Sequence, residues 1–299
     1  MQSNLTPLQQ GMLFHALAAP NSGVDIEQIE MRLHESLDVT KFQHAWQQVI
    51  QRHPILRTFF IWEKVDEPIQ EAAESAELPL IFRDLRDLSS TSQAEQIAQF
   101  RTADRRSDFD FTAPPLMRLA IFQLDDNDFL VLWTFHHILL DGRSFPIVLR
   151  DLFAVYSDTG IQQSEPRPFS AYLNWRNEQA FSESDPFWRE QLAGFDAPTQ
   201  VEFGAFGGSP TKTWGEVKTH LTNQQTTQLA NFAQQHGVTL HTLIQGAWAI
   251  LLHHYSREDE VVFASTRACR YWSADAKDCL LYTSPSPRDL STSRMPSSA

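Results

Sequence analysis

The sequence predicts a mixed fold of the α/β class, an α+β two-layer sandwich, and three observations predict it. Segments of helical period alternate with segments of period two along the 299 residues. One run, Phe129 to Phe135, is apolar on both faces, as a strand in the middle of a covered sheet must be. The helical segments carry their own start and stop signals. A chain of this length has room for two core-forming units, because single cores stop growing near ~250–300 residues.

The elements follow in order. Thr6 can cap a helix, Pro7 suits its first position and Gln9 completes a capping box, so a helix runs from there through Leu17. Ile29 to Leu33 alternates as a half-buried strand does. From about Asp38, Phe42, Trp46, Val49 and Ile50 share one helical face, and Pro54 stops that helix. Ile55 to Trp62 reads as a strand. Met117 to Leu124 and Phe129 to Phe135 flank the polar turn Asp125 to Asp128 and form a hairpin. Ser144 to Tyr156 is a helix with Phe145, Val148, Leu149, Leu152 and Phe153 inside. After a Pro-containing stretch, 162–168, come a helix around Phe187 to Leu192 and a strand from Glu216 to Leu221. Two helices, Thr222 to Gln235 (stopped by Gly237) and Thr239 to Tyr255, precede a last strand, Glu260 to Ala264.

Composition narrows the function classes. Twenty-four basic against 37 acidic residues leave a net charge of −13, which argues against nucleic acid or an anionic membrane as partner. No apolar run approaches the ~20 residues of a membrane span, no signal peptide opens the chain, and a reducing cytoplasm fits. Cys269 and Cys279 alone make neither a disulfide framework nor a zinc site.

The chemistry-bearing constellation is His136-His137-Ile138-Leu139-Leu140-Asp141-Gly142. Successive strand side chains point to opposite faces, so adjacent histidines at a strand end serve different surroundings, one a cleft and one the interior. The cleft imidazole can take a proton from a nucleophile or stabilise a charged transition state. Gly142 permits a positive φ or a close approach of substrate, and a buried Asp141 needs a cation, for which Arg57 is the candidate. A metal site at these residues is disfavoured by the opposite facing of the histidines, so no metal is expected. His253-His254, with no Asp-Gly following, reads as packed, and Gly204 with Gly207-Gly208 as a turn.

His136-His137-x-x-x-Asp141-Gly142 resembles the HHxxxDG signature of condensation domains of nonribosomal peptide synthetases and related acyltransferases. Leu5 to His15 resembles the family's first core motif, Arg52 to Thr58 its second and Phe169 to Trp175, more weakly, its fourth. Phe187-Trp188-Arg189 with Leu192 to Phe195 resembles the start of its second lobe.

The resemblance implies two chloramphenicol-acetyltransferase-like lobes flanking a tunnel, here 1–175 as the N-terminal lobe and 176–278 as a partial C-terminal one. It implies His137 as the catalytic group, as base or as a positioning and charge-stabilising group, and His136 as more structural. Asp141 is then held by a salt bridge to Arg57, and Gly142 lets the backbone approach the thioester. The reaction implied joins a carrier-bound acyl or peptidyl thioester to the amine of a carrier-bound aminoacyl acceptor. No cofactor is bound by the domain itself. Phosphopantetheine arms of donor and acceptor carrier domains deliver the substrates, and an adenylation domain adjoins in the parent chain.

A soluble coenzyme A acyltransferase shares the signature but not the first two motifs, and an epimerisation domain differs in later motifs. A silent docking domain typically lacks the second histidine. Cys279 to Asp289 and Ser293 to Ala299 resemble the in-frame translation of a sequencing adapter, with its index around Leu290 to Thr292. Residues 279–299 are therefore expected to be disordered, the native sequence to end near Asp278, and this chain to be poorly soluble or inactive.

Overall fold

The computed structural model describes residues 2–159, 169–178, 184–201, 219–265 and the backbone of 292–294. Contacts separate a first unit, running to Ala180, from a second that begins at Phe181.

The first unit opens with β1 (Gln2–Asn4) and α1 (Pro7–Ala18), whose capping box is formed by Thr6 and Gln9 as expected. β2 (Ile26–Leu33) and α2 (Val39–Arg52) follow, α2 capped by Asp38 and burying Phe42, Trp46, Val49 and Ile50. The strand expected from Ile55 starts later. Pro54 to Arg57 form a 3-10 turn, because Pro54 supplies a helical φ at its first position, and only then comes β3 (Thr58–Ile61). β4 (Ile69–Ala72), β5 (Leu80–Asp84) and α3 (Ser90–Arg105) lead into β6 (Met117–Asp125) and β7 (Asp128–His136). α4 (Ser144–Tyr156) has the expected bounds, and α5 (Phe169–Asn177) closes the described part of the unit.

Two sheets form here. β1, β4 and β3 pair in that order, and the larger sheet runs β2-β7-β6-β5, with β5 parallel to β6 and the other pairs antiparallel. β7 is thus interior, as its two apolar faces require. Phe129, Val131, Trp133 and Phe135 join a core built with α2 and α4, where the Trp46 and Trp133 rings lie 4.9 Å apart. Leu130 and Leu132 pack with Phe122 and, from α3, Ile97 and Phe100. Everything leaving β7 is therefore anchored in buried strand.

In the second unit, α6 (Asp185–Gln191) matches the expected helix. α7 (Asn223–Gln235) starts at a Thr222–Gln225 capping box and is followed by Gly237 at φ +65°, a left-handed turn suited to glycine. α8 (Leu240–Ser256) and β8 (Glu260–Val262) bury Ala249, Leu252 and Val261 together. Within the tail expected to be disordered, β9 (Thr292–Arg294) pairs antiparallel with β8. The expected strand at Glu216, the glycines 204–208 and both cysteines lie outside the described residues, apart from the strand's last positions, which are not extended into a sheet.

Candidate active site

β7 ends at His136, and the next four residues turn back toward α4. Ile138, Leu139 and Leu140 are all fully buried and nail the turn to the core. The alternation expected of the histidines is what forms: His136 is 2% exposed, whereas His137 is half-buried.

His136 belongs to the interior. Its N–H donates to the Leu116 carbonyl (3.0 Å), and its ring meets Phe111 edge-on at 4.8 Å. Its Nδ1 accepts from the Ile138 N–H (3.1 Å), which assigns the proton to Nε2, a buried atom with no partner among the described residues. Burial, then the neighbouring His137, pushes its pKa from 6.5 down to about 3. The ring is expected to stay neutral in an NMR titration down to about pH 5, where a solvent-exposed histidine is already charged. Because the unfolded chain takes up this proton from 6.5 downward, the contribution to stability is whole above 6.5 and drains as pH falls toward 3. A His136 resonance titrating near 6.5 would contradict this placement.

His137 is held the other way. Its backbone N–H donates to the Asp25 carbonyl (2.7 Å), continuing the β2–β7 ladder, and its Nδ1–H donates to the Leu140 carbonyl (2.7 Å). A carbonyl only accepts, so the proton sits on Nδ1 and the lone pair on Nε2. The two adjacent rings are thus kept in opposite tautomers by two backbone groups of one turn. An Nε2 lone pair on a ring oriented through Nδ1 is the form a general base takes.

Asp141 is buried, and its carboxylate serves the start of α4. Oδ1 accepts from the Arg143 and Ser144 N–H groups (3.1 and 2.9 Å) and from Ser144 Oγ (2.7 Å). α4 has no side-chain cap of its own at Arg143, so Asp141 supplies one and sets a negative charge at the helix start. The expected salt bridge to Arg57 does not form. Arg57 Nη1 donates instead to the Ala73 carbonyl, one step past the β3–β4 ladder that already joins Ala73 N–H to the Arg57 carbonyl, and its Nε is buried with no partner among the described residues. The β3–β4 pairing sets a backbone acceptor beside the guanidinium, and that acceptor takes it. Gly142 is exposed, lacks the positive φ allowed for in the sequence, and a Cβ there would meet nothing within 4 Å among the described residues.

Two features escaped sequence reasoning. Gln9, read there only as a capping residue, also reaches this turn, donating to the Ile138 carbonyl (3.3 Å). Asp151 on α4 is 1% exposed and receives His53 Nε2 (2.9 Å) and Arg52 Nε (3.2 Å) on Oδ2 and Arg150 Nε (3.0 Å) on Oδ1. The signal was present: an aspartate between Val148 and Leu152 lies on the helix's buried stripe and demands cations. No group of metal-ligating side chains occurs among the described residues.

The family model for the condensation domain matches residues 2–280. One of the linear gramicidin synthase proteins of Brevibacillus parabrevis is 40% identical over 273 residues, covering 89% of this chain and 4% of that protein. Tyrocidine synthase 2 of the same organism is 33% identical over 267 residues, covering 87% of this chain and 7% of that protein. The chain thus spans only a small part of either relative. Among solved structures, holo-AB3403, a four domain nonribosomal peptide synthetase, superposes with a TM-score of 0.77 at 19% identity over 94% of this chain and 21% of that one. The first condensation domain of the calcium-dependent antibiotic synthetase gives 0.70 at 19% identity over 94% of this chain and 67% of that one, a likeness of fold. The match over nearly all of the sequence, on the fold just described, makes this chain a member of the condensation domain family of nonribosomal peptide synthetases.

Proposed function

We propose that the chain is the part of a nonribosomal peptide synthetase that joins two carrier-tethered substrates through an amide bond, with His137 as base. The observation that carries this reading is the Nδ1–H to Leu140 hydrogen bond, which orients the ring and makes Nε2 its basic nitrogen. The acceptor amine attacks the donor thioester carbonyl, a C–N bond forms and the C–S bond breaks. His137 receives the amine proton and the thiolate leaves, taking that proton in turn. Because a thioester is already activated, holding both substrates in line supplies most of the rate. Asp141 and the buried leucines keep the turn in place, His136 caps it from within, and the space before Gly142 admits the reacting group.

Donor and acceptor carrier domains would deliver the substrates on phosphopantetheine arms, with an adenylation domain adjoining and no cofactor of the domain's own. The absence of any helix long and apolar enough to cross a membrane, among the described residues, suits work in the cytosol. The family match ending at residue 280 supports reading the adapter-like strings as foreign to the domain. Coverage of 67% of the solved antibiotic-synthetase domain supports placing further strands of the second lobe beyond Asp278 in the parent.

The test supplies the complete parent domain with one acyl donor on a carrier domain or on coenzyme A, and an aminoacyl-carrier acceptor. Amide product from the carrier-loaded donor is expected to form at least about tenfold faster, the worth of one modest docking contact of ~1.4 kcal/mol. Equal or faster use of the coenzyme A donor would establish the soluble-donor acyltransferase reading instead.

A further inference from the structure

We propose that Gln9 is a positioning residue for His137, holding the turn that sets the histidine's tautomer. The inference rests on the reading of His137 as base only for its catalytic consequence.

Gln9 is 0% exposed, and its carboxamide spends all four of its hydrogen-bonding positions. Oε1 accepts from the Thr6 N–H (3.0 Å) and from Gln70 Nε2 (3.1 Å), and Nε2 donates to Gln70 Oε1 (3.1 Å) and to the Ile138 carbonyl (3.3 Å). Gln70 is buried too, on β4, and its remaining N–H goes to the Asn4 carbonyl (3.2 Å). A full set of partners leaves the amide one orientation, with nitrogen toward the turn. Capping α1 requires only the acceptor half of this side chain. One N–H of the donor half is spent on the residue that follows His137, the other on Gln70.

Beyond the end of the β2–β7 ladder, three further bonds among the described residues are made within the turn. The Leu139 N–H donates to the His136 carbonyl (3.2 Å), the Ile138 N–H to His136 Nδ1 and His137 Nδ1 to the Leu140 carbonyl. Among the described residues, Gln9 is the outside side chain that grips the turn's backbone. Releasing the Ile138 carbonyl leaves its peptide, two residues ahead of the Leu140 carbonyl, held by the Leu139 N–H at one end where both ends were held before. That carbonyl is the acceptor holding the proton on His137 Nδ1.

The test is the tautomer of His137 in this full chain, read from long-range proton–nitrogen couplings of its imidazole. Gln9→Met keeps the length and apolar volume but removes the donor, and should shift the ratio of Nδ1–H to Nε2–H by about fivefold, the equilibrium worth of one ordinary hydrogen bond. Thr6→Val, which removes the hydroxyl that caps α1 at the Gln9 N–H (3.2 Å), damages the same helix start but spares the Ile138 contact, and should leave the ratio within about twofold. An unchanged ratio in Gln9→Met, or an equal shift in Thr6→Val, would overturn the proposal. If Gln9→Met does not fold, exchange of the Gln9 side-chain amide in the unsubstituted chain decides: protection of about a hundredfold or more supports the proposal, free exchange refutes it. A tautomer shift without loss of amide synthesis in the parent domain would uphold the positioning and sink the role of His137 as base.

Discussion

Replacing His137 with alanine in the complete domain is expected to slow amide formation by about 10²–10⁴-fold, the range a positioned acid–base group supplies. The fold should survive, because the N–H to Asp25 and the chain's turn into three fully buried side chains are backbone features that persist in alanine. The loss should fall on turnover rather than on binding of the tethered substrates. His136→Ala supplies the contrast. It empties a buried site against Phe111 and strips the Ile138 N–H of its acceptor, so stability should fall more than it does in His137→Ala. Rates within about threefold of the unsubstituted domain for His137→Ala, with the protein folded, would remove the histidine from the chemistry.

Asp151→Ala is expected to cost about 3–5 kcal/mol of folding stability, the usual result of removing one partner from a buried charge cluster. Asp151 joins the end of α2 to the middle of α4 through His53, 3% exposed, and Arg52, and it also holds Arg150. Without it the His53 ring N–H faces a void, and Arg52, mostly covered, loses this counter-charge. Asp151→Asn retains an acceptor and should cost less. Burial works against ionisation of Asp151, but hydrogen bonds from His53 and Arg150 and the charges of both outweigh it, so its pKa lies below the ordinary 3.8. The stabilisation is therefore whole above the unfolded value of 3.8 and is lost as pH falls through the lower folded one. Urea unfolding measures this directly, and a loss below about 1 kcal/mol in Asp151→Ala would show the cluster to be idle.

How far the sequence foretold these residues depends on how local their causes are. Thr6 and Gln9 announce α1 because a capping box acts over three residues, and β7 announces its place because both its faces must be covered. The stretch 63–116 offered no such signal. α3 buries none of its residues fully, so its amphipathic stripe is faint, and β5 is exposed along most of its length. Pro54 marked the end of α2 but also started the 3-10 turn that postponed β3. The opposed surroundings of His136 and His137 follow from strand geometry alone, whereas the choice of a partner for Arg57 does not. Its guanidinium had a backbone carbonyl within reach that only the β3–β4 pairing brings close.

The uniform oiliness of β7 moves the choice between the histidines away from the site. Sliding this strand by one position against β2 and β6 would still bury a largely apolar run, yet would present His136 where His137 stands. What forbids the slip is polar and lies along the rest of the strand. Arg32 forks onto Asp128 at its first residue, the β6 partner carries an irregularity between Gln123 and Asp125, and Thr134 reaches Asp104 on α3. The reading frame of the His136-His137 turn is thus kept partly by Thr134 nearby and partly from the far end of the strand, about 25 Å of extended chain upstream. An error there would exchange the two histidines together with the strand's two faces.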